Sequence, residues 1–134
     1  MALQLSTAYR NTAADAFETT LGTAPLLKFY TGAAPANVAV ANSGTLLATL
    51  TLPSDWLAAA SGGAKTLLGT WQAVSVATGN IGHWRLETSG NTVHAQGTVT
   101  VTGGGGDLTV NDITVDIIGQ QVTVTAFTFT VGGA

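Results

Sequence analysis

Two histidines, a glutamate and an arginine are the residues whose types and spacing come closest to chemistry. His83, Arg85 and Glu87 alternate along one run, so on a strand they share a face, opposite Trp84 and Leu86. His94 follows on the next run and would lie near His83 across a hairpin. Two imidazoles and a carboxylate can hold zinc in a facial arrangement. The same residues suit any solvated or interfacial strand face, and nothing in their spacing is peculiar to a metal. The second reading is therefore preferred, with His83 and Arg85 as candidate interface residues.

Other candidate chemistry fails on spacing. Asp107, Asp112 and Asp116 could supply oxygen ligands to calcium, but their intervals match no calcium loop. Gly103 to Gly106 resembles a phosphate-cradling loop only in its glycines. It lacks the following Lys-Ser/Thr pair and opens no helix, so it reads as a flexible hairpin tip. No serine stands in a nucleophile-elbow pattern. The sequence thus predicts no catalytic residue, no metal site and no cofactor. Among Trp56, Trp71 and Trp84, the last shares its face with Leu86 and reads as core. Trp56 follows Pro53 and Asp55 outside any firm strand, which makes it the preferred interface anchor.

The elements that position these residues are strands. In Gly97–Thr102, Ile113–Ile117 and Val122–Val131 an apolar residue alternates with a polar one, usually threonine. Such runs make one apolar face and one hydroxyl face, and Val, Ile, Thr and Phe suit a pleated, half-buried surface. Within the last run Val122, Val124 and Ala126 are even-numbered while Phe127, Phe129 and Val131 are odd. If one face stays buried, the phase changes near Ala126-Phe127, by a β-bulge or by a bend from one sheet to another. Upstream, Leu26–Tyr30, Thr45–Leu52, Trp71–Ala77 and Ile81–Glu87 read as further strands, and Val93–Gln96 continues toward Val101. Ala33 to Asn42 reads as a small-residue loop, and Ser61–Lys65 as a flexible exposed one. Short strands punctuated by turns indicate a sandwich or barrel.

One helix is expected, about 6–21, capped by Ser6 or Thr7 and stopped by Gly22. Tyr9, Ala13, Ala14, Phe17 and Leu21 fall on one stripe, with Asp15 and Glu18 on the wet side. The helix closes one end of the β core; its alternative role is a docking arm for a neighbouring subunit, with Tyr9 and Arg10 at its start.

Composition narrows the partners. The chain has 134 residues, the size of one domain, and no cysteine. Charged residues make up 8% of it, and the net charge is -3. Four scattered cations, Arg10, Lys28, Lys65 and Arg85, form no basic run, which argues against nucleic acid. No run is long and apolar enough for a membrane helix, and the opening residues lack the pattern of a secretory signal. So low a charge has two explanations: a threonine- and serine-covered surface, or a surface that largely meets other proteins.

Several stretches, in order, resemble small structural proteins of tailed bacteriophages. They are Ser6-Thr7-Ala8-Tyr9-Arg10-Asn11, Phe29-Tyr30-Thr31-Gly32-Ala33-Ala34-Pro35 and Gly44-Thr45-Leu46-Leu47-Ala48. Thr78-Gly79 before Trp84-Arg85-Leu86, Gln96-Gly97-Thr98-Val99, and Gly119-Gln120-Gln121-Val122 with Phe127-Thr128 continue the series. The chain resembles the capsid cement, or head decoration, proteins. The resemblance implies a jelly-roll-like antiparallel β-sandwich with one short N-terminal helix. It also implies a non-enzymatic protein made in the host cytoplasm and carried on the capsid exterior. Its expected partners are the major capsid protein and itself, as a homodimer before a homotrimer. No site residue carries over. A neck, tail or fibre component of the same virion is the runner-up, and a carbohydrate-binding β-sandwich the third reading.

Overall fold

The computed structural model describes residues 2–134. Its one helix, α1 (Thr7–Leu21), starts where the Ser6 hydroxyl accepts the Tyr9 N–H at 3.1 Å, satisfying a donor that the first turn leaves free. It stops at Gly22, whose φ of 77° takes the chain out of the helix. Ala14 and Leu21 are buried, and Phe17 stacks on Phe129 with ring centroids 4.2 Å apart. Tyr9 leaves the expected stripe and is 59% exposed. It precedes the part of the helix that meets the sheet, where Arg10 and Asn11 instead bond to the turn at Gly62-Gly63.

Nine strands follow: β1 (Leu26–Thr31), β2 (Leu46–Thr51), β3 (Ala64–Thr66), β4 (Gln72–Val74), β5 (Gly79–Glu87), β6 (Val93–Val101), β7 (Leu108–Val110), β8 (Thr114–Val115) and β9 (Gln121–Thr130). The main path runs β2-β1-β5-β6-β7-β9-β3, with β4 also on β9 and β8 on the start of β5. The sheet curls until its edges meet: beyond β4, the Val76 N–H donates to the Leu47 carbonyl of β2 at 2.8 Å. The two halves face each other as a sandwich, Trp84 of β5 meeting Phe127 of β9 edge-on at 5.7 Å. The fold is the expected all-β sandwich with one N-terminal helix.

The phase change in β9 is a bulge. Thr109 pairs with Ala126 but Val110 with Val124, leaving Thr125 as the extra residue. Val122 and Val124 face the core before it and Phe127 after it. The displaced Thr125 hydroxyl is held by those of Thr102 and Thr109 at 2.8 and 2.7 Å. A similar bulge in β2 puts both Leu47 and Ala48 inside.

Four expectations are corrected. Gly103–Gly106 is no hairpin tip: it returns the chain so that β6 and β7 run parallel, with the Gly106 N–H anchored on the Thr100 hydroxyl at 3.0 Å. Ser61–Lys65 is an exposed turn only at Ser61-Gly62: Lys65 enters β3 and is buried, paired with Asp15 and Glu18 at 2.7 and 2.8 Å. Of those two acids, placed on the wet side of the helix by the sequence, Asp15 is exposed and Glu18 half-buried. The strands around Trp71–Ala77 and Ile113–Ile117 shorten to β4 and β8, because β4 finds its partner only in Gln121–Thr123 of β9 and β8 only in Gly79-Asn80 of β5.

Trp56 is the fourth correction. It is fully buried, tilted against Trp71 and Phe17, and its indole N–H donates to the Gly22 carbonyl at 3.0 Å. It is a core residue, closed to any partner in this fold. Trp71 and Trp84 are buried as well, their N–H groups held by the Leu68 and Thr98 carbonyls.

Candidate functional site

β1 pairs with β2, yet the connection between them is long, and residues 32–45 fold back as a strap over the outer face of β1, β5 and β6. That outer face carries the polar residues singled out by their spacing. Cross-strand register sets Tyr30 beside His83 and Lys28 beside Arg85 on one side, and Thr98 and Gln96 on the other.

Three of these side chains, Arg85, Gln96 and His83, reach up to the strap. Arg85 Nη2 donates to the Val38 carbonyl at 2.7 Å, and Gln96 Nε2 to the Pro35 carbonyl at 2.7 Å. His83 lies between Gly32, whose carbonyl is 2.8 Å from Nδ1, and Asn42, whose amide nitrogen is 2.7 Å from Nε2. Asn42 Oδ1 already accepts the Gly44 N–H at 2.6 Å, so its NH₂ faces the ring. The imidazole therefore accepts at Nε2 and donates from Nδ1, which is the neutral Nδ1–H tautomer. Tyr30 stacks on it at 5.4 Å. Glu87 completes the row, bonded to Lys28 at 2.6 Å and to the Asn91 amide at 2.6 Å.

This arrangement corrects the solvated-face expectation. His83, Arg85 and Glu87 are all buried, and both imidazole nitrogens are used. Gly82 shows how closely the strap approaches: a Cβ there would collide with the backbone of Gly32. His94 does not join His83, whose register partner is Thr98; it sits exposed at a bulge at the far end of the hairpin. Among the described residues no group of three or more His, Asp or Glu converges as a metal site. All three tryptophans are buried, so none of them presents a ring for a sugar to stack on.

Of the other interface candidates, Tyr9 is exposed, whereas Arg10 is half-buried with Nη1 on the Gly62 carbonyl at 2.8 Å. A surface that sequence reasoning missed lies elsewhere. Val74 and Val76 are each 58% exposed, Ile117 65% and Ile118 71%. Ser75, buried between the two valines, ties them to the isoleucines: its Oγ donates to the Ile117 carbonyl at 2.9 Å and its N–H to the Gln120 carbonyl at 2.8 Å. The four exposed aliphatic residues thus lie on two segments joined through Ser75, with Asp116 the adjoining charge. Exposed aliphatic patches of this kind mark interaction surfaces. The signal was present as two valines opposite Trp71 and as an unbroken Ile-Ile pair before Gly119.

No helix among the described residues is long and apolar enough to cross a membrane. The chain matches no protein-family model, no curated protein and no solved structure.

Proposed function

We propose that this chain is a structural virion protein that binds the outside of a tailed-phage capsid and bridges neighbouring capsomers. The ordered series of motifs resembling head decoration proteins supports the reading at the level of the chain. The observation that carries it at the level of residues is the aliphatic patch of Val74, Val76, Ile117 and Ile118 on a surface otherwise poor in charge. Burying an aliphatic side chain of this size stabilises a contact by roughly 1.5–3 kcal/mol, so a few such residues per copy suffice for a modest contact. A copy that spans two shell subunits binds the assembled shell better than free subunits and stabilises it by mass action. Repetition over the shell multiplies contacts that are individually weak.

The test is to incubate purified protein with expanded, undecorated shells and to image the product. Density at equivalent positions over the whole shell supports the reading. Density confined to one vertex would move the protein to the neck or tail, and bare shells would overturn the proposal.

A further inference from the structure

We propose that the sheet contains a strand-accepting slot between β6 and β9, and that its occupant is the stretch Ala2–Gln4 of a second copy of this chain. Where β7 is present it fills the position between these strands, pairing with Val99–Val101 on one side and with β9 from Val124 to Phe127 on the other. β7 begins only at Leu108. Beyond it, β6 from Val93 to Thr98 pairs with β5 alone, and β9 from Thr128 to Thr130 with β3 alone. Both strands thus keep one edge without a strand partner past the start of β7, and residues of both edges line one space. The space is an open groove of about 330 Å³. Trp84, Phe127, Phe129 and, from α1, Phe17 give it an apolar lining, and Gln96 and Thr128 border it.

The chemistry that fits such a groove is an extended polypeptide. Phe127 and Val131 bond through their backbones to Leu67 and Gly63 on the β3 side, so the Thr128 and Thr130 amides point the other way, into the slot. Only another strand supplies alternating N–H and C=O groups to both edges at once. Gln96 adds an acceptor, since its buried Oε1 has no partner among the described residues. An apolar lining with a polar border selects a segment with alternating side chains.

Ala2-Leu3-Gln4-Leu5-Ser6 has that alternation and belongs to no helix or strand. Leu3 is 78% exposed, the most exposed large apolar side chain among the described residues. The Leu5 N–H donates to the Gly133 carbonyl at 2.6 Å, which roots the stretch just past the Thr130 end of the slot. Two copies related by a two-fold axis at that end can each lay the stretch into the other's slot, an isologous exchange. The inference is independent of the capsid reading, because it is tested on the purified chain without shells.

The chain has no cysteine, so paired cysteines report cleanly. The experiment measures the mass of the full chain in solution over a range of concentrations, for the wild type and Leu3→Asp. It is joined by oxidation of a Leu3→Cys, Thr128→Cys double variant. The expected results are a dimer, a dimer dissociation constant about tenfold or more higher for Leu3→Asp, and disulfides that link two chains. Leu3 is exposed, so its replacement leaves the fold intact. A chain that stays monomeric, a dimer indifferent to Leu3→Asp, or disulfides closing within one chain would each overturn the proposal.

Discussion

Arg85 and Gln96 are paired directly across β5 and β6, and both donate to carbonyls of the same strap, Arg85 to Val38 and Gln96 to Pro35. The two side chains pin a long loop onto a sheet face that would otherwise be open to water. Replacing Arg85 by Met keeps the stem but removes the charged donor. A hydrogen bond to a charged group contributes about 1.5–3 kcal/mol, so R85M is expected to lose about that much stability in denaturant titration. Amide exchange across residues 33–42 should accelerate in parallel, whereas exchange in β9 should follow only the global change.

Gly82 gives a second, independent test of the strap. Gly82→Ala places a methyl group against the Gly32 backbone, which cannot move without displacing the strap root. The expected outcome is a destabilisation of about 1–3 kcal/mol, from overpacking. In the wild type, nitrogen chemical shifts of His83 should report the Nδ1–H tautomer; an Nε2–H ring would contradict the Asn42 contact.

Lys65 provides a pH signature. Burial disfavours its ammonium, but the hydrogen bonds and charges of Asp15 and Glu18 outweigh that, and its pKa is raised above the ordinary 10.5. A raised folded value means that the unfolded chain gives up the proton first as pH rises. The stabilisation is therefore fully present below the unfolded value and is lost as pH climbs through the folded one. The stability gap between the wild type and Lys65→Met, measured by denaturation, should be constant near neutrality and change only above 10.5.

Trp56 and Ile118 should behave as opposites. Trp56→Ala removes a fully buried indole and is expected to cost about 3–5 kcal/mol. Ile118→Asp, at a side chain 71% exposed, should change stability by no more than about 0.5 kcal/mol. Thermal melts of the two variants side by side decide the matter.

Much of the scaffold was legible because it rests on local rules. Ser6 and Gly22 bracket α1 through short-range capping, and the parity shift in β9 announced the bulge at Thr125. What failed to show depends on contacts distant in sequence. A polar alternation at His83-Arg85-Glu87 marks a face but not what covers it, and the cover comes from Gly32 to Asn42. Lys65 reads as a loop cation until Asp15 and Glu18 are brought to it by the helix. Trp56 sits in no regular strand, and its polar atom is satisfied by Gly22, so neither of its anchors is visible nearby. The glycine run before Leu108 misled for a related reason: a turn is local, whereas the parallel return to β6 is set by pairing further on.

The most direct test of the central claim is a binding isotherm of wild-type protein and an Ile117→Asp, Ile118→Asp variant on expanded, undecorated shells, read by co-sedimentation. Saturable binding by the wild type at a fixed number of copies per shell, weakened about tenfold or more in the variant, is the predicted result. Wild-type protein that stays in the supernatant, or a variant that binds as tightly as the wild type, would contradict it.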